Sequence, residues 1–247
     1  MRNVTETVKQ LIIINIIFYI GTQFLGDVAY KFLSLYYPEN PDFKFWQPVS
    51  HMFMHGNLMH IFFNMFALFS FGSALEHYWG AKKFLFFYIS CGLGAALIHI
   101  LSNYYFFHDG LNTLVANGIP KEEIMKILSE GKFDTKWQQI LPKSDFESFI
   151  SSFVTPAVGA SGAIYGILVA FAFMFPDAEL ALMFIPIPIK AKYFVPVIVA
   201  LDLFSGVTGF SVFGGGIAHF AHVGGAFVGF MMMWYWKKGQ NHANRWD

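Results

Sequence analysis

Six long apolar runs separated by polar stretches dominate this chain and confine it to folds that use lipid as a solvent. They cover approximately residues 9–25, 54–75, 84–104, 159–175, 191–207 and 217–236. A helix needs roughly 20 mainly apolar residues to cross the hydrocarbon of a bilayer, and each run approaches that length. The expected fold class is therefore all-α, a polytopic membrane protein with six transmembrane helices in a single domain over 1–247. Composition agrees, since 55% of the residues are hydrophobic, only 13% are charged and 31 of 247 are Phe, far from the balance of soluble proteins.

Lys plus Arg and Asp plus Glu each number 16, so no net field draws in nucleic acid or an acidic substrate. Cys91, the only cysteine, rules out an internal disulfide and reads as a buried, inert thiol. Arg2 and Lys9 precede the first run, as in a signal peptide. Thr22-Gln23-Phe24-Leu25-Gly26 holds no small-x-small cleavage site, so the run is kept as a helix.

Orientation follows from the basic residues. Arg2, Lys9, Lys82, Lys83, Lys190, Lys192, Lys237, Lys238 and Arg245 flank the runs on one side, and Lys31 and Lys44 occupy the first loop opposite. Both termini are expected in the cytoplasm. Residues 105–156, with five Lys and seven acidic residues, form a long third loop that reads as an inserted, partly helical extracytoplasmic subdomain. Within it Pro120 suits the first position of a helix, Ile124, Ile127 and Leu128 share one face, and Gly131 suits a left-handed stop. Trp137, Phe146, Phe149 and Phe153 fit either the membrane interface or a core packed on the parent domain.

Polar side chains inside a span are costly, so they mark function. His60 and Asn64 are four residues apart in the second run and share a face. Ser161 and Tyr165 repeat that spacing in the fourth, and His222 shares a face with Gly225 and Gly229 in the sixth. Gly162 with Gly166, and Gly225 with Gly229, match the small-xxx-small pattern that lets membrane helices approach closely. Close packing of those helices would bring Ser161 to His222. The fourth run is short before Pro176, so its N-terminus starts below the surface, where unpaired first-turn N–H groups can face a developing anion.

Gly159-Ala160-Ser161-Gly162-Ala163-Ile164-Tyr165, His55-Gly56-Asn57-Leu58-Met59-His60 with Asn64, and Ala221-His222-Val223-Gly224-Gly225 resemble the signature motifs of the rhomboid intramembrane serine proteases, in their order and on their second, fourth and sixth helices. Glu76-x-x-x-Gly80 adds a further match, and the resemblance runs from Phe45 to Trp236 apart from the insert. It implies a bacterial-type protein with a six-helix core, in the inner (cytoplasmic) membrane. It further implies a nucleophile, Ser161, and a general base, His222, in a dyad without a carboxylate. His60, Asn64 and the Ser161 backbone N–H would form the oxyanion hole, with Tyr165 stacked on the histidine and Gly159 and Gly162 beside the serine. Transmembrane proteins would be the substrates, entering between the second and fifth helices, with no cofactor and no metal.

One departure is Trp46-Gln47, where many rhomboids have Trp-Arg, so the arginine's role is absent or taken by amide hydrogen bonds. His219 is expected to line the mouth of the cavity. His51 and His55 have metal-ligand spacing, yet interfacial packing accounts for them. Asp202 is expected to make a structural hydrogen bond or to serve as a gate residue near the extracytoplasmic end. Two other readings stay open: a metal or haem membrane protein, favoured by nine histidines but lacking His-Glu-x-x-His, and a non-catalytic rhomboid-like protein that binds membrane helices.

Overall fold

The structure, a computed structural model, describes residues 4–182, 185–210 and 218–243. Arg2, Arg245 and Ile217, invoked above for orientation and for the start of the sixth run, lie outside them. The chain forms α1 (Glu6–Leu25), α2 (Asp27–Leu33) and α3 (Gln47–Ser50), the last continued by a 3-10 turn at His51–Phe53. The second run is α4 (Leu58–Ala67), a π turn at Leu68–Gly72 and α5 (Ser73–Trp79), continuous as one helix. Next come α6 (Ala81–Ala116), α7 (Lys121–Ser129), a 3-10 turn at Thr135–Gln139, α8 (Lys143–Val154) and α9 (Ser161–Met174). An antiparallel pair, β1 (Glu179–Leu182) and β2 (Ile185–Lys190), precedes α10 (Ala191–Thr208) and α11 (His219–Ala243).

This is a nearly all-α membrane fold. Among the described residues, Glu6–Leu25, Leu58–Trp79, Ala81–Ala116 and Ala191–Thr208 are long and apolar enough to cross a membrane, and α9 is a shorter apolar helix of 14 residues. At 1.5 Å per residue α9 is about 21 Å long, short of the roughly 30 Å hydrocarbon thickness. Its flanks are buried almost all round, from Gly162 to Phe171, as expected of an apolar helix at the centre of a bundle. It packs against α6, α10, α11 and the second span. Phe62, Phe63, Phe66 and Phe69 face outward from that span, whereas Phe84, Phe87 and Tyr88 are buried.

One end of the bundle is defined by specific contacts. The Glu76 carboxylate accepts from the Thr5 hydroxyl at 2.5 Å and from the Thr7 and Val8 N–H groups at 3.0 and 2.9 Å, capping the start of α1. At the same end the rings of Tyr78 and Phe175 lie 5.4 Å apart, those of Trp79 and Trp236 are also 5.4 Å apart, and Lys83 sits 4.1 Å above the Trp236 ring. Lys190 and Lys192 pair with Asp177 there at 3.2 and 2.8 Å and hold its carboxyl below the usual carboxylate range. The beginning of α1 and the aromatic end of α11 therefore share one side of the bundle.

At the opposite end, the first loop is organised by Gln47. Its buried amide donates to the carbonyls of Lys31 at 3.2 Å and Asp42 at 2.9 Å, and accepts from the Tyr36 N–H at 3.2 Å. Amide hydrogen bonding thus fills the position where an arginine is common.

The insert departs from its expected boundary. The third helix does not stop near 104 but continues to Ala116, because Phe107, Leu111 and Leu114 prolong a buried face that packs on α8. Residues 105–116 are therefore helix rather than loop. Beyond them α7 begins at Lys121 with Pro120 as its cap, and Gly131 follows with φ of +69°. Trp137, Phe146, Phe149 and Phe153 are all buried in one core with Phe107 and Tyr37, so packing, not the membrane interface, accounts for them.

Candidate active site

The chain enters α9 through an irregular segment whose backbone groups are paired. Ala157 exchanges two hydrogen bonds of 2.9 Å with Leu35, and the Gly159 N–H donates to the His51 carbonyl at 2.9 Å. Such pairing is what permits non-helical backbone to descend into a membrane protein. Gly159 has φ of +127°, a conformation that residues with a Cβ avoid. A Cβ there would lie 2.8 Å from His60 Nε2 and 3.5 Å from Ser161 Oγ, so the glycine keeps a gap between imidazole and hydroxyl.

Two glycine pairs set the distance between α9 and α11. A Cβ on Gly225 would collide with the Gly162 carbonyl, and one on Gly229 would come within 2.7 Å of the Gly166 Cα. At this close approach Ser161 Oγ lies 2.8 Å from His222 Nε2, although the residues are 61 positions apart. The Tyr165 ring stacks on the His222 imidazole, with centroids 4.3 Å apart and planes inclined by 12°.

A carboxylate joins this group. Asp202 of α10 is 1% exposed. Its Oδ1 lies 2.5 Å from His219 Nδ1 and 3.2 Å from His222 Nδ1, and its Oδ2 accepts from the Tyr165 hydroxyl. Asp202 thus makes the structural hydrogen bonds that were one of its two expected roles, a carboxylate stands beside the expected Ser161–His222 pair, and His219, expected at the cavity mouth, is buried against Asp202. The signal was present in the sequence: an acid in an apolar span is costly enough to imply partners, but sequence spacing cannot show which ones.

The hydrogen bonds assign opposite tautomers to two histidines. A carboxylate at Nδ1 requires His222 to carry its proton there, leaving the Nε2 lone pair for the serine hydroxyl. His60 Nδ1 instead accepts from the Gly56 N–H at 3.3 Å, which places the proton on Nε2, the atom facing Gly159. One ring is thus arranged as a base and the other as a donor. Asn64 is buried one turn below, and its amide donates to the His60 carbonyl at 2.9 Å, which leaves its second amide hydrogen uncommitted by that bond. Asn57, the N-cap of α4, holds this turn by accepting from the His60 N–H at 2.9 Å.

Behind Ser161 lies a small cavity of about 10 Å³, bordered by His51, His99, Leu35 and Gly159. His51 Nδ1 bonds the Gln47 carbonyl at 2.9 Å. Burial lowers the His51 pKa to about 4, so the ring is neutral.

With this geometry in view, the Rhomboid domain family model matches residues 42–119 and 139–239. The chain belongs to the rhomboid family. The unmatched residues between the two segments contain α7, which places that helix outside the family's shared pattern. This rhomboid is 25% identical over 190 residues to "Rhomboid protein 1, mitochondrial" of Saccharomyces cerevisiae, a stretch that covers 77% of the chain and 41% of that protein. It is 30% identical over 144 residues to "Presenilin-associated rhomboid-like protein, mitochondrial" of Mus musculus, covering 56% of the chain and 36% of the relative. To "Presenilin-associated rhomboid-like protein A, mitochondrial" of Danio rerio it is 26% identical over 208 residues, covering 83% and 41%. The matches therefore span about two fifths of these curated relatives. All three carry mitochondrial names, so the expected bacterial inner membrane is not borne out. What stands is an integral membrane protein of the rhomboid family.

Proposed function

We propose that this rhomboid is an intramembrane serine endopeptidase acting on transmembrane protein substrates, with Ser161 as nucleophile and His222 as general base. The observation that carries the reading is the 2.8 Å contact between Ser161 Oγ and His222 Nε2. Serine is a weak nucleophile until a neighbouring base takes its proton, and a neutral imidazole with a free lone pair is that base. In the first step Oγ bonds the substrate carbonyl carbon as its proton passes to Nε2. Return of that proton to the leaving amine breaks the C–N bond, and water then resolves the acyl-enzyme.

Charge on the carbonyl oxygen needs donors preset for it. The supporting groups are the Nε2–H of His60, the second amide hydrogen of Asn64 and the Ser161 backbone N–H, the last at the positive end of α9. The bare Cα of Gly159 leaves room for a peptide carbonyl between His60 and Ser161. Family analogy brings substrate in between the second span and α10. Shared placement of the start of α1 and the aromatic stretch of α11 supports an orientation with the termini on one side of the membrane, and the chemistry calls for no metal or cofactor.

Labelling by a fluorophosphonate probe and cleavage of a transmembrane substrate, both in reconstituted vesicles, test the assignment. Wild type labels on Ser161, Ser161→Ala does not, and both Ser161→Ala and His222→Ala lose cleavage while keeping their melting temperature. Cleavage at the wild-type rate by either variant rejects the proposed pair. A wild type that binds substrate but neither labels nor cleaves is a helix-binding protein instead.

A further inference from the structure

Asp202 is the one acidic residue of α10 and is almost completely buried. A buried carboxylate is retained only where donors replace its water. Three side chains supply them: Tyr165 from α9 on one oxygen, and His219 and His222 from α11 on the other. Two of the three, Tyr165 and His222, already touch the proposed nucleophile or its base. A carboxylate that served only to tie helices together would not need the base's own ring nitrogen.

The stack of Tyr165 on His222 fixes the plane of the imidazole but leaves two freedoms. The ring can turn within its plane, and its proton can sit on either nitrogen. A carboxylate 3.2 Å from Nδ1 removes both. It holds the proton on Nδ1, so Nε2 presents a lone pair to Ser161, and it stabilises the positive ring formed when that lone pair takes the serine proton. The carboxylate itself stays ionised throughout.

We propose that Asp202 is the positioning residue of this active site, completing a Ser161–His222–Asp202 arrangement in which Tyr165 and His219 hold the carboxylate against His222. The proposal rests on the protease reading above. During attack one proton moves, from Oγ to Nε2, and one bond forms, from Oγ to the carbonyl carbon, while the carbonyl π electrons move to its oxygen. Asp202 gains no proton. His219 is then a second donor to the same oxygen, so it restrains the carboxylate without meeting the substrate.

Asp202→Asn separates positioning from structure, because the amide keeps the shape yet can donate to Nδ1 and hold His222 with its proton facing Ser161. In soluble serine proteases the equivalent change lowers kcat on the order of 10⁴. Measured on the full chain in vesicles, Asp202→Asn is expected to lower kcat by at least about 10², with KM within about threefold of wild type, and to slow fluorophosphonate labelling of Ser161 in parallel. Asp202→Glu, which restores the carboxylate, recovers about tenfold of that loss. Wild-type kcat in Asp202→Asn overturns the proposal, as does equal damage to kcat and melting temperature in the Asn and Glu variants. Should Asp202→Asn fail to fold, Tyr165→Phe removes one of the carboxylate's donors and keeps the ring stack. A kcat lowered by about three- to tenfold supports the proposal, and an unchanged kcat overturns it. A wild type that neither labels nor cleaves rejects the protease reading itself, whereas an active wild type with an equally active Asp202→Asn rejects only the role of Asp202.

Discussion

The insert core and the Ser161 site are both buried, yet they are held by different forces. In the insert, Phe107 stacks on Phe149 and Phe153 with centroids 5.5 and 5.1 Å apart, and Trp137 meets Phe149 edge-on at 5.9 Å. Nothing in that cluster depends on a proton being on a particular atom. Around Ser161 the reverse holds: Asp202, Tyr165, His219 and His222 are joined by directed hydrogen bonds, and the glycines contribute by occupying no space. Lost volume should damage the first region and lost donors the second.

The sharpest way to break that contrast is to empty the insert core. Phe149 is fully buried and lies against Gly110, where a Cβ would be 2.6 Å from its ring. Phe149→Ala should cost about 3–5 kcal/mol of local stability, read as faster hydrogen exchange or proteolysis across 121–154. Ser161 labelling should keep its wild-type rate. A parallel fall in labelling would show that the insert supports the site, and the two regions would have to be treated as one.

The second test removes a donor from the site. Asn64→Ala should lower kcat by about 10²–10³, equivalent to about 2.7–4 kcal/mol of transition-state stabilisation. Its melting temperature should stay near wild type, since the hydrogen bond its side chain makes among the described residues runs to its own helix at His60. If stability falls as far as kcat, Asn64 is a packing residue and the oxyanion role passes to His60 and the Ser161 N–H alone.

How far each region was legible depends on whether its information is periodic. Apolar runs gave the spans, and the spacing of Ser161 with Tyr165 and of His222 with Gly225 and Gly229 put each set on one helix face. Facing glycines then made their meeting readable from spacing alone. The end of the third helix was not readable, because Phe107, Leu111 and Leu114 continue the buried face where charge begins to rise around them. The β1–β2 pair was missed for a similar reason, since two prolines in the Ile185–Lys190 strand disguise its alternation of isoleucines. Asp202 was visible as an anomaly but not as a partner of His222, because nothing in a sequence states which turn of α10 faces α11. Tautomers lie deeper still, for they follow from neighbours such as the Gly56 N–H and Asp202.

The smallest expected effect belongs to a residue that shares features of both regions. Gln47 is fully buried like the insert aromatics, but it acts through three hydrogen bonds like the site. Gln47→Leu fills a similar volume and deprives the Lys31 and Asp42 carbonyls and the Tyr36 N–H of their side-chain partner, at a cost of about 1–3 kcal/mol in stability. Ser161 labelling should be unchanged, because the His51 ring bonds the Gln47 carbonyl, which the substitution leaves in place. Gln47→Glu sharpens the point: it still accepts from the Tyr36 N–H but sets a carboxylate oxygen against two carbonyls. Should Leu and Glu be tolerated about equally by thermal unfolding, volume rather than donor count governs this loop, and it belongs with the insert. If Glu is the worse of the two, the loop is built on the same directed bonding as the active site, and an amide there does the work for which an arginine is the commoner solution.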